Sequence, residues 1–463
     1  MIPMKASEIA RVIGGELHGS DVEVLERAFL SSSQCIEGSI FLAIKGENAD
    51  GHDFVTDAFS HGAILAITSK AVSERCIVVP DVTVAIGHLA SHVRSTLKAL
   101  TVIGITGSQG KTTTKELLSA ILSSVAPTIS PQGNNNNELG VPITLLQCKA
   151  DTKYCIVEMG ARHQGDIAAL ATIAKPEIGV VLKVAAAHLG EFGSLEIIAK
   201  TKSEMISSLS PNGIAILGQY DPMTVAMASL HSGKTITFGE TPSSEIRATD
   251  IEIREGRPHF ELVTPEGRST VTLRQYGTHQ IANALAAAAV SYALGLTTDQ
   301  IAGALSTAEV HARWRMEVRT LDDLVIINDA YNASPDSMAA ALHTLAHLSQ
   351  ERGGESWAFL GNMRELGESS TQAHAEIGTL ASSLGIDHLV TVGAPDYAKG
   401  ITDGSQIAIH ICRDKFEALS YIQYLNRGDV VLCKASRSDG LEEIAEKIEN
   451  VWNAKLRDEG VEE

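Results

Sequence analysis

Short apolar runs alternate along this chain with stretches whose apolar residues recur at three- and four-residue spacing, the contrast that separates strands from helices. Over residues 1–98 the runs at 40–44, 64–67 and 77–79 are broken by polar turns such as 46–52, which predicts a small α/β unit. From 99 to 310, strands predicted at 101–106, 154–158 and 177–184 alternate with helical stretches, ending in an alanine-rich helix after Gly277-Thr278-His279-Gln280. That order predicts a mostly parallel sheet, and the polar stretch 241–257 reads as a hairpin or insertion within it. From 311 to 463 the alternation restarts, with strands near 324–328, 357–360, 388–392, 407–411 and 430–434, the count and order of a doubly wound unit. The predicted fold class is therefore α/β in three domains: 1–98 small α/β, 99–310 a mostly parallel sheet, and 311–463 doubly wound and Rossmann-like. The length of 463 residues fits that number, each domain burying its own core.

One junction in this pattern carries chemistry. The strand at 101–106 feeds Gly107-Ser108-Gln109-Gly110-Lys111-Thr112-Thr113, which opens into a helix with Leu117, Leu118, Ile121 and Leu122 on one face. Glycines let backbone amides turn inward, a helix N-terminus favours anions, Lys111 adds a cation and the Thr112 hydroxyl suits Mg²⁺. The segment predicts a phosphate-binding loop for ATP or GTP, against the alternative of a plain glycine turn. The general P-loop pattern wants a glycine where Ile105 stands, and Gly104 sits one residue early.

Composition narrows the partners. A net charge of −19 opposes a nucleic-acid or anionic-membrane surface, so anionic ligands must be held locally. The six cysteines form no C-x-x-C pair and predict reduced thiols without disulfide or zinc. No basic-then-apolar leader and no run of about twenty apolar residues is present, so no membrane insertion and a cytoplasmic location are expected.

Further candidates stand at predicted strand ends. Glu158 and His188 can converge with Thr112 on a metal, since a parallel sheet gathers the carboxyl ends of its strands into one crevice; a structural carboxylate and a satisfied histidine are the alternative. Asn134 to Asn137 read as a turn or as amides for a sugar or phosphate. Lys200 and Lys202 share a helical stretch at 195–207, and nothing in the residues selects either. Asp329 lies where a strand gives way to a helix, as a ligand carboxylate or a cap, and Arg313 precedes that strand as a phosphate ligand or a surface arginine.

Taken in order, GITGSQGKTT, GNNNNELGVP, IVEMGA, AHLGEFGS with AKTKSEM, GTHQIANALAA, NDAYNASPDSM, LGNMRELGE and KASRSDGLE resemble the motifs of the Mur ligase family of ATP-dependent amide-bond-forming enzymes, over nearly the whole chain. FLAIKGENADGHDF and LGNMRELGE are most similar to the branch that joins D-alanyl-D-alanine to UDP-N-acetylmuramoyl-tripeptide through an acyl phosphate. The resemblance implies a uridine-nucleotide-binding first domain, a central ATPase domain, and a soluble monomer using ATP and Mg²⁺. It implies Lys111, Glu158, His188 and Lys202 as catalytic, with Thr112, Glu158, His188 and a carbamylated Lys202 at the metals. It places ATP on 107–113, Asn283, Arg313 and Asp329, and the UDP-sugar peptide near Ser32, Lys45, Asn134 and Asn137. With two ATP contacts in the third domain, that domain must meet the phosphate loop to complete the site.

Departures from the family pattern are Gln109, Lys183, Ser334, Asn362 and Ala435, with Ser31-Ser32-Ser33 where Asp-Ser-Arg is usual. The competing readings are a sister ligase adding one amino acid, a folylpolyglutamate synthase-like ligase, and a nucleotide-binding protein without catalysis. The Asp-Asn-Pro-Arg string usual in the first is absent, residues 1–98 oppose the second, and Lys111, Glu158, His188 and Lys202 together oppose the third.

Overall fold

The computed structural model describes residues 1–458 except Glu47, Gln132, Asn134, Ala187, His188, His311 and Asp403. Its largest element is a nine-stranded sheet. Thr128–Ile129, Tyr154–Glu158, Thr101–Thr106, Ile178–Val181, Ile214–Gly218, Lys234–Gly239 and Ile246–Arg254 lie side by side in that order and run parallel, and Arg257–Thr264 and Gly267–Thr272 complete it antiparallel. Successive side chains point to opposite faces. Ile103, Ile105, Ile156 and Val180 pack under helices Lys111–Ser123 and Gln280–Ala293, while Val102, Val157 and Val181 face Asp166–Ala174 and Leu195–Ser207. Burial on both faces is why these strands read as nearly continuous apolar runs.

The stretch expected as a hairpin is one: Ile246–Arg254 turns at Glu255 (φ 49°) and Gly256 (φ 72°) into Arg257–Thr264, a two-residue turn in the left-handed region. It widens the central sheet instead of standing apart. Its tip reaches the third unit, where the Glu255 N–H donates to Glu351 Oε1 at 3.2 Å.

The third unit is a six-stranded sheet in the order Glu317–Leu321, Leu324–Asn328, Val430–Lys434, Ser356–Leu360, His388–Val392, Ala408–Cys412, antiparallel only at its first edge. Pro335–Arg352 and Ser370–Ser383 cover one face and Glu442–Asp458 the other, so the unit is doubly wound.

Residues at the chain's start form a five-stranded sheet (Glu16–His18, Cys76–Val78, Ala63–Thr68, Ser39–Leu42, Ala28–Phe29) with a separate pair, Met4–Lys5 and Glu23–Val24. Here the expectation of one core per domain needs correction. A single apolar cluster runs from Met1 and Ile9 through Ile86, Leu89 and Val93 to Leu145, Val157 and Met205. The cause is helix Val82–Thr96, which touches the first unit on one side and helices Gly140–Leu145 and Asp166–Ala174 on the other. Arg94 secures the join: buried at 8% exposure, it donates to the carbonyls of Ala174 (3.1 Å) and Lys175 (3.2 Å) and pairs with Glu177.

Among the described residues no helix is long and apolar enough to cross a membrane, and the six cysteines are free and buried. Arg94→Met keeps the apolar stem but leaves the buried Ala174 carbonyl and the part-buried Lys175 carbonyl without this donor, so it should cost about 1–3 kcal/mol. In urea, the first two units of the wild type should unfold in one transition, and in the variant that transition should move to lower denaturant.

Candidate functional site

Strand Thr101–Thr106 ends in the cleft, and the loop that follows is shaped by its two glycines. Gly107 (φ 152°) and Gly110 (φ 81°) occupy backbone regions costly for other residues. A Cβ on Gly110 would stand 2.2 Å from Asn283 Oδ1. Gly110 is also the N-cap of helix Lys111–Ser123 and carries no side-chain cap, so the first amides of that helix are left to a ligand. Lys111 folds back over the loop, its Nζ donating to the Gly107 carbonyl at 2.8 Å, and burial pulls its pKa down against the opposing pull of Glu158. Ser108 anchors the loop to the next strand's end, through N–H to Lys183 O and hydroxyl to Ala185 O, both 2.9 Å. Gly104 serves a different purpose from a P-loop glycine: a Cβ there would meet Met205 at 2.9 Å, so it admits helix Leu195–Ser207 close to the sheet.

The neighbouring strand, Tyr154–Glu158, delivers Glu158 at its carboxyl end, 1% exposed. Thr112 Oγ1 donates to Glu158 Oε2 at 3.0 Å and Asn136 Nδ2 to Oε1 at 2.9 Å. Helix Leu195–Ser207 settles the choice between two lysines. Its buried face carries Ile198, Thr201, Lys202, Met205 and Ile206, whereas Lys200 is exposed. Burial, reinforced by the charge of Lys111, brings the Lys202 amine down to about 7.

A cleft of about 1010 Å³ is lined by the loop 107–113, Asn137, Glu158, Lys202, Asn283 and Asp329, so most predicted site residues meet in one place. The third unit supplies its far wall. Asp329 pairs with Lys434 Nζ at 2.6 Å and accepts the Met316 N–H at 2.9 Å. Gln109 Nε2 donates to Ser334 Oγ at 3.0 Å, Lys183 pairs with Asp336 at 2.7 Å, and the Gly190 N–H donates to Glu365 O at 2.7 Å. The third domain is thus seated on the phosphate loop.

Other predicted residues stand elsewhere. Arg313 is exposed and outside the cleft, and the arginine of that segment which lines it is Arg315, over the Tyr331 ring at 3.9 Å. Left-handed backbone at Trp314 (φ 57°) breaks the alternation that would face both arginines alike. Ser32, half-buried in the turn Ser32–Gln34, and Lys45, exposed, stand on the first unit and do not line the cleft. Asn134 and His188 lie outside the described residues.

Sequence reasoning passed over Arg315, Lys434 and His279. Lys434 ends a predicted strand beside Asp329's, which was the available signal. His279 lines the cleft with Nδ1 buried and unpartnered among the described residues, and burial, opposed by Asp329, brings its pKa down to about 4.

A phosphate-gripping helix terminus, a buried carboxylate and a near-neutral lysine, shared between a parallel sheet and a doubly wound domain, define a nucleotide-dependent group-transfer enzyme. The chain belongs to the Mur ligase family, whose members are ATP-dependent ligases: the models for its middle domain match residues 105–291, its glutamate ligase domain 314–437 and its catalytic domain 29–120. It is 37% identical to the UDP-N-acetylmuramoyl-tripeptide–D-alanyl-D-alanine ligase of Mycobacterium bovis, over 97% of this chain and 98% of that one. The crystal structure of MurF from Acinetobacter baumannii superposes with a TM-score of 0.87 at 34% identity, covering 96% of this chain and 98% of that one. MurF from Thermotoga maritima in complex with ADP gives 0.81 at 30% identity, covering 93% and 99%.

Gly110→Ala should weaken binding of ADP at least tenfold and lower the thermal transition by a few degrees, because the new methyl strikes buried Asn283 and the left-handed φ strains an alanine. Calorimetric titration of ADP into wild type and variant measures this directly.

Proposed function

We propose that this chain joins D-alanyl-D-alanine to UDP-N-acetylmuramoyl-tripeptide at the expense of ATP, in the cytoplasm and as a monomer. The observation that carries the chemistry is the single cleft in which the uncapped helix terminus at Gly110 and Lys111 faces buried Glu158 and Lys202. A carboxylate is a poor electrophile because oxide is a poor leaving group. Transfer of the γ-phosphoryl group to the tripeptide's terminal carboxylate forms an O–P bond and releases ADP. The dipeptide amine then attacks the acyl carbon, and the C–O bond breaks with loss of phosphate and a proton.

Each residue has a part in this scheme. Amides of 107–113 hold the β- and γ-phosphates and Lys111 draws charge from the transferring oxygens. Arg315 and Asp329, with Lys434 beside it, meet the nucleotide from the third domain, and Asn283 from the helix beneath it. Ser32 and Lys45 receive the uridine diphosphate end on the first unit, and Asn134 and Asn137 the groups nearer the reacting carboxylate. Thr112 hydroxyl and Glu158 carboxylate are hard oxygen donors facing the cleft, the set Mg²⁺ prefers, and with His188 and a carbamate on Lys202 they would hold the metal that screens phosphate charge. An ammonium cannot serve there, but an amine lowered to about 7 can: its neutral form attacks CO₂ and becomes an anion.

Phosphate release from ATP should require both the UDP-sugar tripeptide and D-alanyl-D-alanine, with the pentapeptide product identified by mass. Lys111→Ala should abolish it. If a shorter peptide and a single amino acid support turnover instead, the specificity belongs to a sister ligase; if no substrate pair supports phosphate release, the reading returns to nucleotide binding alone.

Lys202→Ala should lose most activity and regain part of it with formate or acetate. The neutral amine is roughly nine-tenths of the population at pH 8 and a tenth at pH 6, so CO₂-dependent activity should fall as pH drops through about 7. Unchanged rates after CO₂ removal would contradict the carbamate.

A further inference from the structure

Four residues beyond Lys111 on the same helix, Lys115 is 1% exposed, a burial that lysine rarely tolerates unless its charge is fully engaged. Its Nζ donates to Pro131 O at 2.8 Å and to Gly133 O at 3.0 Å, and Glu116 Oε1 lies 3.7 Å away. The two carbonyls accept two of the ammonium's three protons, and the Glu116 carboxylate stands beside it as an ion-pair partner. None of them belongs to a ligand, and Lys115 does not line the cleft. The charge is spent on holding the backbone carbonyls of Pro131 and Gly133 against the phosphate-loop helix.

Three residues beyond Gly133 stands Asn136. Its amide donates to Glu158 Oε1 at 2.9 Å, and its carbonyl accepts the Gly160 N–H at 2.8 Å. Two glycines make the approach possible: a Cβ on Gly160 would stand 2.9 Å from Asn136 Oδ1, and one on Gly140 would stand 2.4 Å from the Asn135 carbonyl carbon. Glu158 therefore has both oxygens assigned, one to Thr112 and one to Asn136. The asparagine segment is moored to strand and glycines on one side and to Lys115 on the other.

We infer that Lys115 is a positioning residue for catalysis: by tying Pro131 and Gly133 to the phosphate-loop helix it sets Asn136 on Glu158, and so fixes the carboxylate that faces the reacting phosphate. This rests on the ligase reading above. It assigns the second lysine of the helix a task distinct from that of Lys111, acting through Asn136 and touching no substrate.

The test is a double-mutant cycle on the full-length chain, with phosphate release in the presence of both substrates and calorimetric titration of ADP as readouts. Lys115→Met and Asn136→Ala should each lower kcat roughly 10- to 100-fold, the range for groups that orient a site's ligands, with KM for ATP and ADP affinity little changed. The double variant should be no slower than the slower single, because both act on one contact. Losses that multiply, or a Lys115→Met defect carried by KM for ATP, would overturn the assignment. Should Lys115→Met fail to fold, Asn136→Ala alone decides: an unchanged kcat refutes it, and Lys115→Gln, which keeps one donor, should fall between wild type and Asn136→Ala. If the wild type itself forms no pentapeptide, the ligase reading fails and this assignment fails with it; if the wild type works and the losses multiply, only the assignment fails.

Discussion

Burying three charges in one cleft is the constraint on which the rest of this structure depends. Lys111, Glu158 and Lys202 are brought there by the carboxyl ends of adjacent parallel strands and by one helix laid across them. Isolated, each would carry a heavy desolvation cost; together they offset one another, with Glu158 between Thr112 and Asn136 and the Lys111 ammonium on the Gly107 carbonyl. Lys202 is the exception, and its amine responds by losing its preference for the proton. The same low dielectric that costs stability strengthens every contact a phosphate would make there.

The architecture around the cleft follows from keeping it rigid on one side. Helix Val82–Thr96 merges the first unit with the central one in a continuous apolar cluster, sealed by Arg94. The first two units therefore form one platform, and the distance from its Ser32 and Lys45 to the phosphate loop is fixed by packing. Gly104 belongs to this platform, its lack of a side chain leaving room for the end of Met205 on the helix that carries Lys202.

Much of this was legible in the chain. Helix 195–207 was predicted and found at the same bounds, and the strands that end in Glu158 and Asn328 agree with the apolar runs that announced them. The residues alone did not separate Lys202 from Lys200 and the family resemblance did; the helix's phase agrees, since Lys202 stands four residues after Ile198 and three before Met205 on the buried face. Lys434 and Asp329 are far apart in sequence and meet because their strands are neighbours in a sheet whose order no local pattern encodes. Arg315 was missed in favour of Arg313 because left-handed φ at Trp314 has no signature in a residue that normally avoids it. The hairpin at 241–257 was legible as a turn, but its tip's contact with Glu351 depends on where the third sheet docks.

The two interfaces of the molecule differ in kind, and the difference bears on how substrates enter. Between the first and second units the join is apolar and shared. Between the second and third, the contacts over the cleft are polar: Gln109 with Ser334, Lys183 with Asp336, and Gly190 with Glu365. The Lys183 and Asp336 side chains are 31% and 44% exposed, and an ion pair so placed contributes about 0–1 kcal/mol. Apolar packing across this boundary lies at the hairpin end, where Tyr276 packs against the third core and Gly256 fits beneath Leu348. Asp329 and Arg315 both stand on the third-unit side of this boundary, so one set of weak polar contacts decides whether both meet the phosphate loop and whether substrates have room to enter.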